Sequence, residues 1–149
     1  MGQEHVLTVP GHYKEIKRIC EFVAAGASRA GFDEDEVFHL ELCCDEASTN
    51  IIEHSYGAEG KGEIVVSYRT RGNDFIITLR DNGKAFDPAL VPPPPAFHSN
   101  NIPAEELTSQ VRIGGLGLHF IRKLMDDVTF RSDRLHGNEL TMIKKLHGR

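Results

Sequence analysis

The sequence predicts an α/β two-layer sandwich, with one mixed, mostly antiparallel sheet covered on one face by helices. Three observations predict it. Apolar residues recur at three- and four-residue steps from Tyr13 to Ile51. They then alternate in twos from Glu63 to Asp81. The resulting element order, β-α-α-β-β-loop-α-β-β, shows no internal repeat and no second domain. A chain of 149 residues suits one domain, 1–149, with a real core.

The elements follow in order. His5 to Val9 is a short β-prone run ended by Pro10. Tyr13, Ile16, Cys20, Val23 and Ala27 form a helical stripe, which Gly31 stops. Asp33 can cap the next helix, with Glu36 three residues on in capping-box position. That helix carries Val37, Leu40, Cys44, Ala47 and Ile51 and ends near Tyr56-Gly57. The period then changes. Ile64, Val66 and Tyr68 share one strand face, and Phe75, Ile77 and Leu79 share another. The intervening R-G-N-D is a turn, so the two strands read as an antiparallel hairpin. Periodicity is lost from about Asp87 to Ile113, where Pro92 to Pro95 favour polyproline II. A loop this long in a small domain reads as a lid or binding loop. Leu118, Ile121 and Met125 then phase a helix, and D-V-T-F-R-S and E-L-T-M-I-K-K-L are two closing strands around an H-G-N turn.

Bulk properties exclude several classes. A hydrophobic share of 40% with 26% charged residues rules against disorder. The formal net charge of −5, with no Lys/Arg run, gives no general attraction to nucleic acid or anionic membrane. Cys20, Cys43 and Cys44 are odd in number and lack a C-x-x-C, which fits reduced, mostly buried thiols in a cytoplasmic protein. The N-terminus has no signal-peptide pattern, and no apolar run approaches the roughly 20 residues of a membrane span. The eight His residues are scattered without H-E-x-x-H spacing.

Three sites carry chemistry. Glu46 and Asn50 stand four apart, one turn above each other on a helix face. A carboxylate beside an amide oxygen can take up a proton and bind a hard cation; a lone E-x-x-x-N is more often a solvated flank. Asp81-Asn82-Gly83 follows a strand. A tight turn explains it, and so does an Asp placed to accept a hydrogen bond from the exocyclic amine of adenine. Gly114-Gly115-Leu116-Gly117-Leu118 opens a helix. It reads as a flexible loop end or as a phosphate cradle, where glycines admit close approach and the helix N-terminus adds free N–H donors. G-x-x-x-x-G-K-[ST], H-R-D/D-F-G and G-x-S-x-G are all absent, which excludes P-loop, eukaryotic-kinase and α/β-hydrolase chemistry.

In this order, D-E-A-S-T-N-I-I-E-H-S-Y-G, D-N-G-K-A-F-D-P, G-G-L-G-L-H-F-I-R-K-L-M-D-D-V and N-E-L-T-M-I-K-K-L resemble the Bergerat-fold ATPases of the gyrase, histidine-kinase and mismatch-repair superfamily. The resemblance narrows to the bacterial anti-sigma regulatory serine/threonine-protein kinases and covers essentially the whole chain. It implies ATP and Mg²⁺ as cofactors. It implies that Asn50 binds Mg²⁺, that Asp81 takes the adenine amine with Gly83 and Ala85 shaping the pocket, and that Gly114, Gly115, Leu116, Gly117 and Leu118 cradle phosphates. Thr141 is expected near the adenine, Glu46 is expected as general base, and 87–113 becomes the ATP lid. The implied partners are a sigma factor and an anti-anti-sigma (STAS-type) protein carrying the target serine, with neither nucleic acid nor membrane involved directly. Family members usually dimerise, which makes a homodimer the implied oligomer.

Two departures stand out. Ala85 replaces a second glycine often found in the adenine box, and Ile113 occupies a place that is basic in some relatives, with Arg112 one step off. Two rivals remain: a non-catalytic ATP-binding interaction module, which those departures favour, and the catalytic domain of a split histidine kinase, for which the chain has no spare helix to carry a phospho-accepting His.

Overall fold

The computed structural model describes residues 3–84, 121–133 and 135–147. The expected lid at 87–113, together with Ala85 and Gly114 to Leu118, lies outside the described residues. The described elements are strand β1 (His5–Pro10), helix α1 (Ile16–Ala30) after a single turn at Tyr13–Glu15, helix α2 (Glu34–Asn50), and strands β2 (Glu63–Arg71), β3 (Asp74–Asp81), β4 (Asp127–Asp133) and β5 (Gly137–Lys145). Residues 121–124 form the described end of the helix before β4.

The strands make one sheet in the order β1-β2-β3-β5-β4, antiparallel at all four pairings. β5 enters between β3 and β4, so the last described strand lies inside the sheet, next to the central β3. The hairpin of β2 and β3 has the expected faces: Val66 opposes Leu79 and Tyr68 opposes Ile77, all four buried. β1 runs one residue further than the β-pattern indicated, to Pro10, which pairs with Glu63. An edge strand tolerates that proline because its missing N–H leaves no inner ladder bond unmade.

The helices cover one sheet face. Ile19 and Val23 of α1, and Leu40, Cys44 and Ala47 of α2, join Ile64, Val66, Ile77, Leu79 and Met142 in a single core. α1 stops at Gly31, which is left-handed (φ 112°), and α2 is capped as expected: Asp33 Oδ1 accepts from the Glu36 N–H at 2.9 Å. The three cysteines are buried free thiols. Burial pushes Cys20 and Cys43 up to about 12 and raises Cys44 as well, so all three stay protonated and act as small apolar residues.

Two differences from the expected α2 bear on function. Burial spreads beyond the predicted stripe to Cys43, Glu46, Ser48 and Thr49. After Asn50 the helix widens into a π-turn, Ile51–Tyr56, before ending at left-handed Gly57. Apolar periodicity does not register a π-turn, because it changes the winding and leaves the buried residues, Ile51 and Ile52, apolar.

α1 approaches the sheet most closely at Gly26. A Cβ there would stand 2.3 Å from two ring carbons of Tyr68. That ring is fixed, being stacked with His5 and Phe75 and bonded by the Arg29 guanidinium. Alanine favours helix by about 1 kcal/mol over glycine, but overpacking costs about 1–3 kcal/mol. Gly26→Ala should therefore lose up to about 2 kcal/mol in urea unfolding; a gain would mean that α1 slides off Tyr68 freely.

Candidate functional site

β3 and β5 run side by side in a register that places Asp81 opposite Asn138 and Leu79 opposite Leu140, on the face the helices cover. The π-turn after α2 reaches the same place. Asn50, Ser55, Asp81 and Asn138 form the polar part of a cleft there. Its walls are apolar, with Ile51, Leu79, Ile121, Phe130 and Leu140. An apolar slot with a few polar groups at one side suits a flat heteroaromatic ring.

Asp81 is the centre of that polar part and is 5% exposed. Its Oδ1 accepts from the Gly83 N–H at 2.8 Å and from Asn138 Nδ2 at 2.9 Å, and the Ser55 hydroxyl is a further donor to the carboxylate. Every one of these donors is neutral. Burial dominates and raises the Asp81 pKa above the ordinary carboxylate value; the bonds from Asn138, Gly83 and Ser55 pull it partway back.

The turn after β3 is closed from the π-turn. Lys84 N–H donates to the Ser55 carbonyl at 2.6 Å. Tyr56 Oη accepts from the Asn82 N–H at 3.1 Å and donates to the Glu63 carbonyl at 2.6 Å. Gly83 fits where nothing larger would, since a Cβ there would lie 2.5 Å from the Ser55 carbonyl oxygen. The sequence-predicted glycine is thus required by close approach to the backbone of α2's continuation.

Among the predicted site residues that are described, Asn50, Asp81 and Gly83 are brought together. Glu46 lies one turn before Asn50 and is 2% exposed; it does not line the cleft. Thr141 is not brought there. It pairs with Thr78 and Thr129, at odd phase to Asn138 and Leu140, so it points to the sheet's other face. Asn138 stands beside Asp81 instead. Asn138 and Ser55 are the residues that sequence reasoning missed. The signal for Asn138 was register: counting back from the buried Met142 and Leu140 puts it on the same face.

The family model of the histidine kinase-like ATPase domain matches residues 9–144. The chain is similar to proteins named serine-protein kinase RsbW. It is 35% identical over 121 residues to that of Listeria innocua serovar 6a, covering 81% of this chain and 73% of the relative. It is 32% identical over 127 residues to that of Bacillus velezensis (82% and 72%), and 31% identical over 127 to that of Bacillus cereus (85% and 76%).

The chain belongs to the histidine kinase-like ATPase family. Asp81 is a buried hydrogen-bond acceptor at the end of an apolar slot. Among the described residues, no helix is long and apolar enough to cross a membrane.

The raised pKa has a consequence for stability. Folded Asp81 holds its proton more tightly than the unfolded chain does, so its contribution is greatest below the unfolded value and is lost as pH rises through the folded one. In urea unfolding across the acid range, wild type should weaken relative to Asp81→Asn as pH increases. Parallel curves would show that burial does not govern Asp81.

Proposed function

We propose that this chain is an ATP-dependent protein-serine kinase that acts as an anti-sigma factor in a cytoplasmic partner-switching module, phosphorylating a serine on an anti-anti-sigma (STAS-type) protein. The observation that carries the reading is the buried Asp81 carboxylate, held by neutral donors at the end of an apolar cleft that also contains Asn50. Membership of the family and likeness to proteins named serine-protein kinase support it.

In this reading residues 1–149 act as one ATPase domain. Asp81 accepts the adenine amine. Guanine would present a carbonyl to the carboxylate and be repelled. Gly83 and Ala85 shape the pocket. Gly114, Gly115, Leu116, Gly117 and Leu118 bring main-chain N–H groups to the phosphates at a helix N-terminus, and 87–113 closes over them as the lid. Asn50 contributes one amide oxygen at the cleft wall. Among the described residues no group of His, Cys, Asp and Glu could hold a metal unaided. A single hard oxygen suits Mg²⁺, which binds through few protein ligands together with substrate phosphates. Bound there, Mg²⁺ would neutralise charge on the phosphates.

Phosphoryl transfer needs positioning and charge neutralisation more than covalent help. The serine oxygen forms a bond to the γ-phosphorus, the bond to the β,γ-bridging oxygen breaks, and ADP leaves. Glu46, one helical turn from Asn50, takes the serine proton. Because Glu46 is 2% exposed, the serine reaches it only when the residues over it move with partner binding. A homodimer is the assembly in which we expect this to occur.

Three measurements check the reading. Glu46→Ala should abolish transfer while nucleotide affinity stays within a few-fold; undiminished transfer would remove Glu46 as the base. Asp81→Asn should weaken ATP binding by about 1–3 kcal/mol, the scale of a charge-assisted hydrogen bond; normal affinity would overturn the adenine assignment. With labelled ATP and candidate partners, acid-stable, base-labile label on the partner is the expected result. Acid-labile label would indicate histidine transfer, and ATP binding without label would indicate a non-catalytic module.

A further inference from the structure

Asn138 is 2% exposed and both ends of its side-chain amide are hydrogen-bonded. Nδ2 carries two N–H groups. One goes to Asp81 Oδ1 and the other to the Lys84 carbonyl, each at 2.9 Å, while Ser55 Oγ is more distant at 3.4 Å. Oδ1 of Asn138 accepts from the Ser132 hydroxyl at 2.6 Å. This donor on one side and two acceptors on the other fix which end of the amide faces Asp81. Ser132 belongs to β4 and Asp81 to β3, so Asn138 on β5 ties the two outer neighbours of its strand through its own side chain.

The effect on Asp81 follows from lone-pair counting. Each carboxylate oxygen offers two acceptor positions. Asp81 Oδ1 takes the Gly83 N–H and Asn138 Nδ2, which fills it. The Ser55 hydroxyl can occupy at most one position on Oδ2, which leaves an acceptor for a ligand.

We propose that Asn138, anchored by Ser132, is a positioning residue that saturates one oxygen of Asp81 and so turns the other to a single N–H donor of the bound base. The inference rests on the nucleotide reading of the cleft and adds the residue that sets the geometry of its acceptor. No Lys, Arg or His side chain is described as acting on Asp81; Tyr56, whose phenol burial raises, is its titratable neighbour. Losing the Asn138 donor therefore removes part of the stabilisation that the described residues give the carboxylate.

The test pairs two readouts in Asn138→Ala and the milder Ser132→Ala: ATP affinity by calorimetry as a function of pH, and the titration of the Asp81 carboxyl carbon followed by NMR without nucleotide. Asn138→Ala should bind ATP roughly tenfold more weakly near neutral pH, the ratio set by one hydrogen bond of ordinary net strength. Its Asp81 titration should move to higher pH, and the acid-side loss of ATP binding should move with it. Ser132→Ala should shift both in the same direction, with roughly threefold weaker binding, and keeps the test available if Asn138→Ala does not fold. A purely structural Asn138 would lower the melting temperature and leave the Asp81 titration and its pH profile unchanged, which overturns the inference. A wild-type protein that binds no ATP overturns the nucleotide reading and this inference with it; ATP-binding wild type with unaffected variants overturns this inference alone.

Discussion

A carboxylate buried, among the described residues, with neutral donors alone is the constraint around which the rest of this site is arranged. Asp81 sits at the end of β3, where a strand would ordinarily give its last side chain to solvent; here it is 5% exposed. Removing a carboxylate from water is expensive unless its oxygens find donors. The fold supplies them from three directions: Gly83 from its own turn, Asn138 from β5, and Ser55 from the π-turn. None carries charge, so the carboxylate stays an electron-rich acceptor with a raised pKa. A salt bridge would instead have occupied its oxygens with a charged donor and lowered that pKa.

This constraint accounts for features that otherwise look unrelated. β5 must lie next to β3, because Asn138 has to oppose Asp81. The residue at 83 must lack a Cβ, because the Ser55 carbonyl occupies that space. α2 must change its winding after Asn50 so that Ser55 and Tyr56 can close the turn from the side. Tyr56 extends the same linkage to Glu63 at the start of β2, so α2's continuation touches the sheet at two strands. The core beneath, with α1 seated on Tyr68 and α2 on the sheet, holds these pieces in place and contributes no chemistry itself.

How much of this was legible in the sequence depends on which physics leaves a local trace. Helix and strand periods are local, so α1, α2 and the β2–β3 hairpin could be read with their faces. Asp33 as a cap is local too, and its bond to Glu36 N–H is present. Asp81 and Gly83 were legible as a motif. Asn138 was not, because its role depends on strand β5 inserting between β3 and β4, a non-local fact. Thr141 shows the same gap in reverse: its residue type fitted the family pattern, but strand alternation puts its side chain on the opposite face from Asp81. The π-turn escaped because its apolar residues fall where an ordinary helix would also bury them. The glycine box and the lid lie beyond the described residues, and their roles rest on motif alone.

The two halves of the E-x-x-x-N motif have different environments, and that separation bears on how binding and transfer are divided. Asn50 is half-buried and lines the cleft; Glu46, a turn earlier, is enclosed. One helix thus presents an amide to the cleft and withholds a carboxylate from solvent. A base that water could reach freely would also deprotonate water beside the γ-phosphate, giving ATP hydrolysis in place of transfer. In the proposed reading, the enclosure of Glu46 restricts the acceptor to a hydroxyl delivered with the partner. The binding site, by contrast, is set by β3, β5 and the π-turn within this chain. In the proposed reading, the base-binding end of the cleft is therefore built by groups in position within this chain, while transfer depends on an encounter that opens α2's enclosed face.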